Sequence, residues 1–308
     1  MNDVLEFLLT EPIAAPVDAD LEAAWARHAA IAARFPAPVD AAVAGGFVAD
    51  RLGFAFLSGY QEALRQLLPE VAGRELLAVS ATEENGAHPA AIRTTVAPAG
   101  GGWVVRGAKS FTTMGEHARQ LIVVAATGAV IDGRHELRAV VVDARQSGVT
   151  VTNRPPLPMA PEIPHATVLF EDAAGRPLPG DGYADFLKPF RTVEDVHVLA
   201  ATLGWLVRVG RQAHWPQSML QRLLAGVAMV RGLDPAAPGS AGTHIALGGI
   251  FAEFERLLLD SAPLWNQVDA QTRERWERDR PLLATAGRVR AQRLTTAWRR
   301  VGFDEPTD

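Results

Sequence analysis

The sequence has no cysteine in its 308 residues. That absence excludes disulfides, thiolate nucleophiles, iron–sulfur clusters and cysteine-ligated zinc, and it fits a reducing compartment. There is no long run of lysine and arginine either, and the formal net charge is -5. A nucleic-acid backbone would find no electrostatic footprint here, so no nucleic-acid partner is expected. No apolar run approaches the roughly 20 residues that cross a bilayer. The opening MNDVLEFLLTEP carries acids where a secretory signal carries lysine or arginine. The expectation is a cytoplasmic protein with no membrane partner. Serine, histidine and aspartate all occur, but no G-x-S-x-G elbow activates a serine. The histidines at 117, 135, 165, 197, 214 and 244 show no metal-ligand spacing, so no metal is expected.

What is present is ordinary globular composition, 48% hydrophobic and 21% charged, at a length that suits two or three compact units. From Asp18 to about Pro69 the chain is alanine-rich, with apolar residues at three- and four-residue steps in DADLEAAWARHAAIAARF and FLSGYQEALRQLLP. Pro36, Pro38, Gly45 and Gly46 are expected to break this helical stretch into pieces. From Glu75 to about Asp172 the texture changes to seven short runs rich in Val, Ile and Thr: LLAVSA, AIRTTVAP, WVVRGAKSFTT, LIVVAAT, LRAVVVDA, GVTVTNRP and ATVLFED. Such runs, separated by glycine and proline turns, read as an antiparallel sandwich or barrel. After RPLPGDG the helical pattern returns from Tyr183 to the end. FLKPFRTVEDVHVLAATLGWLVRVGRQ is long and apolar enough to be a buried helix, and Gly232 to Gly242 form a loop. The expected class is α+β, with a helical domain over 1–74, a β domain over 75–180 and a helical domain over 181–308.

Two stretches carry candidate chemistry. In WVVRGAKSFTTMG, strand alternation places Phe111 and Thr113 on one side and Thr112 on the other, while Gly107 supplies a turn and Lys109 reads as a solvated edge charge. A ring beside a hydroxyl suits a flat heterocycle with polar edges; it equally suits a plain half-buried strand. In SATEENGAHP, the Thr82 hydroxyl and the amides of the turn at Asn85-Gly86 can hold the carbonyl edge of a heterocycle or a phosphate oxygen, or merely close the strand. Gly100 to Gly102 falls in a hairpin with no helix following, which excludes a dinucleotide loop.

Taken together, in a helix–strand–helix chain and roughly thirty residues apart, these two stretches resemble the acyl-CoA dehydrogenase family. The family's T-E-P-x-x-G-S-D is matched here by Thr82-Glu83-Glu84-Asn85-Gly86-Ala87-His88-Pro89, and its G-x-K-x-[WF]-I-T-N by Gly107-Ala108-Lys109-Ser110-Phe111-Thr112-Thr113-Met114. GVTVTNRPPLPMAPEIPHATVLFED and RPLPGDGYADF look like the strand pair and linker that follow. The resemblance implies an N-terminal helical domain, a middle β domain and a C-terminal four-helix bundle. It also implies FAD, with Phe111 and Thr113 flanking the ring, and Thr82 and the backbone at Ala81 holding the pyrimidine edge. The resemblance further implies an acyl-CoA or a related small molecule as substrate, a flavin-type electron-acceptor protein as partner, and a homo-oligomer, dimer or tetramer.

The family's usual glutamate base, after a Gly-Gly turn near the C-terminus, is missing from TTAWRRVGFDEPTD, where Glu305 is the nearest remnant. An isovaleryl-type minority carries the base ten residues before a glycine on an earlier helix, and Glu194 stands in that register before Gly204. A glutamate near a helix start is also common for its dipole alone. His88-Pro89 replaces the family's serine–aspartate pair, and Asp195 stands where arginine is usual, both of which weaken a CoA substrate. Arg211, in a loose echo of the family's R-x-x-F-G, is the candidate for the FAD pyrophosphate. Two alternatives stay open: a catalytically silent paralogue that binds or assembles with a related dehydrogenase, and a flavin monooxygenase or oxidase on the same fold.

Overall fold

The computed structural model describes residues 3–16, 20–71, 73, 75–100, 102–131 and 133–303. The chain divides into two compact units, a helical one made of 1–66, 158–162 and 192–308, and a sheet unit made of 67–157 and 163–191. No helix among the described residues is long and apolar enough to cross a membrane.

The helical unit contains α1 (Val4–Thr10), α2 (Leu21–Ala32), α3 (Pro38–Val48), α4 (Leu52–Leu67), α5 (Lys188–Gln212), α6 (Gln217–Arg231), α7 (Ala241–Ser261), α8 (Ala270–Asp279) and α9 (Gly287–Arg300). Side-chain oxygens close several N-termini: Asp20 accepts from the amides of Glu22 and Ala23, Ser240 from Thr243, and Asp269 from Thr272. Each such cap satisfies an amide that the helix leaves unpaired and contributes about 1 kcal/mol. The prolines punctuate as expected, with α2 ending before Pro36 and Pro38 at the first turn of α3. The glycines do not. Gly45 and Gly46 lie inside α3, fully enclosed, and a Cβ on Gly46 would stand 1.9 Å from the Ala201 carbonyl oxygen of α5. Gly46 lets two helix backbones meet, and Gly45 leaves room for the side chains of His28 and Ser58, rather than either ending a helix. Four tryptophans from separate segments, Trp205, Trp215, Trp265 and Trp276, are buried against one another, with Trp265 and Trp276 parallel at 4.7 Å.

All seven strand-like runs are strands: β1 (Leu77–Ser80), β2 (Thr95–Ala99), β3 (Gly102–Thr113), β4 (Gln120–Ile131), β5 (Arg134–Asp143), β6 (Val149–Asn153) and β7 (His165–Pro177). The expected antiparallel sheet is in fact mixed. β4 runs parallel to β1 and, at Thr95–Ala126, to β2, whereas β2–β3, β3–β7, β4–β5, β5–β7 and β6–β7 are antiparallel. A parallel neighbour needs a long crossover, and the 39 positions from Ala81 to Arg119 include the whole β2–β3 hairpin, which provides it. One core holds the sheet, built from residues that include Val96, Val105, Leu121, Val123, Val140, Val168 and Phe170.

β3 departs from simple alternation in two places. Its pairing with β7 shifts register between Val105 and Gly107, and again between Lys109 and Thr112. Gly107 therefore makes no turn. It sits within the strand at φ +133°, where its missing side chain lets Thr94 approach, since a Cβ there would lie 2.7 Å from the Thr94 Cα. The second shift puts two residues of β3, Ser110 and Phe111, opposite one of β7, Thr167, so that Lys109 and Thr112 both turn inward and are fully buried. Phe111 and Thr113 stay half-buried.

Candidate active site

The two motif stretches meet. Thr82 and Phe111 are antiparallel bridge partners, and the Ser110 amide donates to the Thr82 carbonyl at 2.9 Å. Beyond Thr82 the chain folds into the expected turn, with Glu83 and Gly86 exchanging backbone hydrogen bonds and Gly86 at φ +96°. On the inner side the Ser80 and Thr112 hydroxyls are hydrogen-bonded at 2.7 Å. Ala81, Thr82, Phe111 and Thr113 thus form one group in the sheet unit.

Beneath this group lies Lys109, which is no solvated edge charge. Its ammonium is wholly buried and donates to Glu83 Oε1 at 2.7 Å, to the Val124 carbonyl at 2.6 Å and to the Ala81 carbonyl at 3.4 Å. Burial pushes the lysine down to about 8, against the opposing pull of Glu83. Burial works on Glu83 in the raising direction, but the hydrogen bond from Lys109 and the amides of Thr94 and Arg93 outweigh it and hold the carboxylate below its usual range. Strand alternation hid this pair, because its partners lie 26 positions apart and only the bulge turns Lys109 inward.

His165, opposite Thr113 on β7, was also invisible to local pattern. Its ring packs on Phe111 with centroids 4.2 Å apart, and its buried Nδ1 has no hydrogen-bond partner. Burial first, and then the charge of Arg154, push its pKa down to about 4, so the imidazole is neutral at physiological pH. The arrangement offers a half-buried ring, a hydroxyl at Thr113, backbone groups at Ala81 and Thr82, and one unsatisfied buried nitrogen. A flat heterocycle with polar edges fits these groups.

Glu194 and Arg211 belong to the helical unit and share α5, 17 positions or roughly 25 Å apart, so they do not converge on one group. Glu194 lines a cleft of about 630 Å³ whose walls include Phe56, Phe251, Phe254, Trp265, Trp276, Leu282 and Leu283. Beside it, buried Asp195 accepts from Arg290 at 3.1 Å and from Arg293, and Arg293 also donates to Thr192 at 2.8 Å. The aspartate at the position where the resemblance implied arginine is therefore answered by arginines of α9. Arg211 points its guanidinium at α1, where Nη1 donates to the carbonyls of Leu8 at 2.7 Å and Glu11 at 2.9 Å. Glu305 lies outside the described residues.

Residues 78–173, which hold these sheet-unit groups, match the family model described as the acyl-CoA dehydrogenase middle domain. Over that stretch, about a third of the chain, it is similar to the middle domain of the acyl-CoA dehydrogenases. Solved structures with the same fold include butyryl-CoA dehydrogenase from Megasphaera elsdenii, at 15% identity and TM-score 0.66, covering 91% of this chain and 89% of that one. The FAD complex of PigA matches at 16% identity and TM-score 0.64, covering 92% and 89%. The prolyl acyl carrier protein oxidase AnaB matches at 14% identity and TM-score 0.67, covering 97% of each chain. At these identities the likeness establishes the fold alone. No curated protein matches the chain in sequence.

Proposed function

We propose that the chain is an FAD-dependent dehydrogenase or oxidase acting on an acyl-CoA or a related substrate. The observation that carries this reading is the bridge between Thr82 and Phe111 inside a middle domain of the family, which registers both motif edges side by side. On this reading Phe111 and Thr113 flank the isoalloxazine, and Ala81 and Thr82 hold its pyrimidine edge. FAD, when bound, supplies the acceptor for a hydride. The protein supplies position and electrostatics: the Lys109–Glu83 pair fixes the 81–83 segment against β3, and the neutral His165 backs the Phe111 ring.

Glu194 is the proposed base. Removing a proton from carbon calls for a carboxylate at a largely apolar cavity that admits the substrate and limits water, and the Glu194 cleft has aromatic and leucine walls of that kind. The wider fold reading, a closed β barrel and a C-terminal four-helix bundle in an oligomer that passes electrons to a flavoprotein acceptor, accompanies the same proposal. Protein purified from a flavin-rich host should be yellow. Glu194→Gln should retain the flavin and lose at least about a hundredfold in turnover across an acyl-CoA series with a dye as electron acceptor. Colourless protein that no flavin reconstitutes would sink the cofactor, and unchanged turnover in the variant would remove Glu194 from the chemistry.

A further inference from the structure

FAD carries negative charge, and the arginine that the sequence resemblance offered for it, Arg211, has its Nη1 donating to two carbonyls of α1. The sheet unit presents a different cation. We propose that Arg154 is the residue that meets the anionic part of the flavin, an assignment that rests on the flavin reading above.

Arg154 immediately follows β6, and both ends of the residue are anchored. Its backbone amide donates to the His165 carbonyl at 2.8 Å, and Nη1 donates to the Ser110 carbonyl at 2.8 Å. Ser110 is itself the residue whose amide bonds Thr82. The guanidinium therefore hangs from the joint between the two motif edges, 5.8 Å from the centroid of the Phe111 ring. The side chain is exposed, and no carboxylate among the described residues forms an ion pair with it. A guanidinium has five donors in a rigid fork, and only one of these N–H groups is taken by Ser110. His165, next to it, is uncharged, so the arginine is the only one of these two groups that brings positive charge to the Phe111 face.

Two acceptors on the cofactor share this chemistry, the phosphates and the carbonyl edge of the ring, which becomes anionic on reduction. Both recruit a fixed guanidinium. Flavin-stripped full-length chain, as wild type, Arg154→Ala and Arg154→Lys, is titrated with FAD, FMN and riboflavin by flavin fluorescence, with thermal melts as the control for folding. Arg154→Ala is expected to weaken FAD about tenfold or more, the cost of one charge-assisted hydrogen bond, with partial recovery in Arg154→Lys and unchanged melts. If riboflavin binding is untouched while FAD and FMN weaken, the partner is phosphate. If riboflavin weakens as well and the bound flavin's midpoint potential becomes more negative, the partner is the ring edge, whose reduced anion has lost its counter-charge. Equal affinities for all three flavins in wild type and Arg154→Ala would overturn the assignment while leaving the flavin reading standing. Wild type that binds none of the three would overturn both.

Discussion

The sheet unit and the helical unit build their candidate sites in opposite ways. In the sheet unit, the groups at Ala81, Thr82, Phe111 and Thr113 are set by backbone pairing and by a buried polar web, chiefly Lys109, Glu83, Ser80 and Thr112. In the helical unit, the Glu194 cleft is walled by side chains from five helices and their connections, and the same unit is packed by close helix contacts such as that of Gly46 with Ala201. One site is held by hydrogen bonds across short distances in sequence, the other by packing across long ones. Damage to each should therefore look different.

The largest effect is expected at Lys109. Lys109→Met leaves the Glu83 carboxylate buried without its counter-ion and should cost about 3–5 kcal/mol in urea unfolding, much of it recovered when Glu83→Gln is added. The near-ultraviolet circular dichroism of the stacked Trp265–Trp276 pair belongs to the helical unit. Under native conditions it should be the same in the Lys109 variant; a large change there would break the contrast between the units.

His165 tests the same web through pH. Its folded pKa of about 4 lies below the ordinary histidine value of 6.5, so between these limits the unfolded chain takes up a proton that the folded chain refuses. Stability must then fall as pH drops from about 6.5 to 4, by at most about 3 kcal/mol from this group. Glu83, whose carboxylate is also depressed, adds its loss at still lower pH, below its ordinary 4.5. Melting temperatures of His165→Phe should be flatter than wild type through the upper window only, and parallel curves would show that His165 is not the titrating group.

Gly46→Ala probes the other unit. The new methyl would overlap the Ala201 carbonyl, and forcing α3 from α5 should cost about 1–3 kcal/mol while altering the tryptophan signal. A variant as stable as wild type would mean that the helices separate freely.

The smallest effect is expected at Met114. It adopts φ +58°, a left-handed conformation that costs a residue with a Cβ about 1–2 kcal/mol, and the family motif has asparagine there, which tolerates it better. Met114 is also completely buried, and losing that apolar contact costs about 1.5–3 kcal/mol. Met114→Asn should thus be destabilised by about 1 kcal/mol, since burial outweighs relief of the backbone. Stabilisation in a denaturant titration would reverse that ranking.

How far the sequence could be read follows the same divide. All seven strands were legible from short Val-, Ile- and Thr-rich runs, and so was the long buried helix that became α5. Parallel pairing at β4 was not, because strand direction depends on how β4 inserts between β1 and β5, which no local run encodes. Phe111 and Thr113 were correctly placed on one half-buried face, yet the bulge that turns Lys109 inward has no signature beyond its effect on register. Gly46 looked like a breaker because its partner, α5, lies some 155 positions later. α1 escaped notice for a related reason: only seven residues long, it gives too little periodicity to recognise.

That short helix has a consequence for how the protein is made. A helix of seven residues does not persist alone in water, and its last carbonyls are capped by a guanidinium roughly 200 positions downstream. During synthesis α1 must remain unfinished until the far end of α5 has emerged. It is thus slower to settle than segments whose partners lie nearby in sequence, and in the interval its apolar side chains Val4, Phe7 and Leu8 stay open to a chaperone.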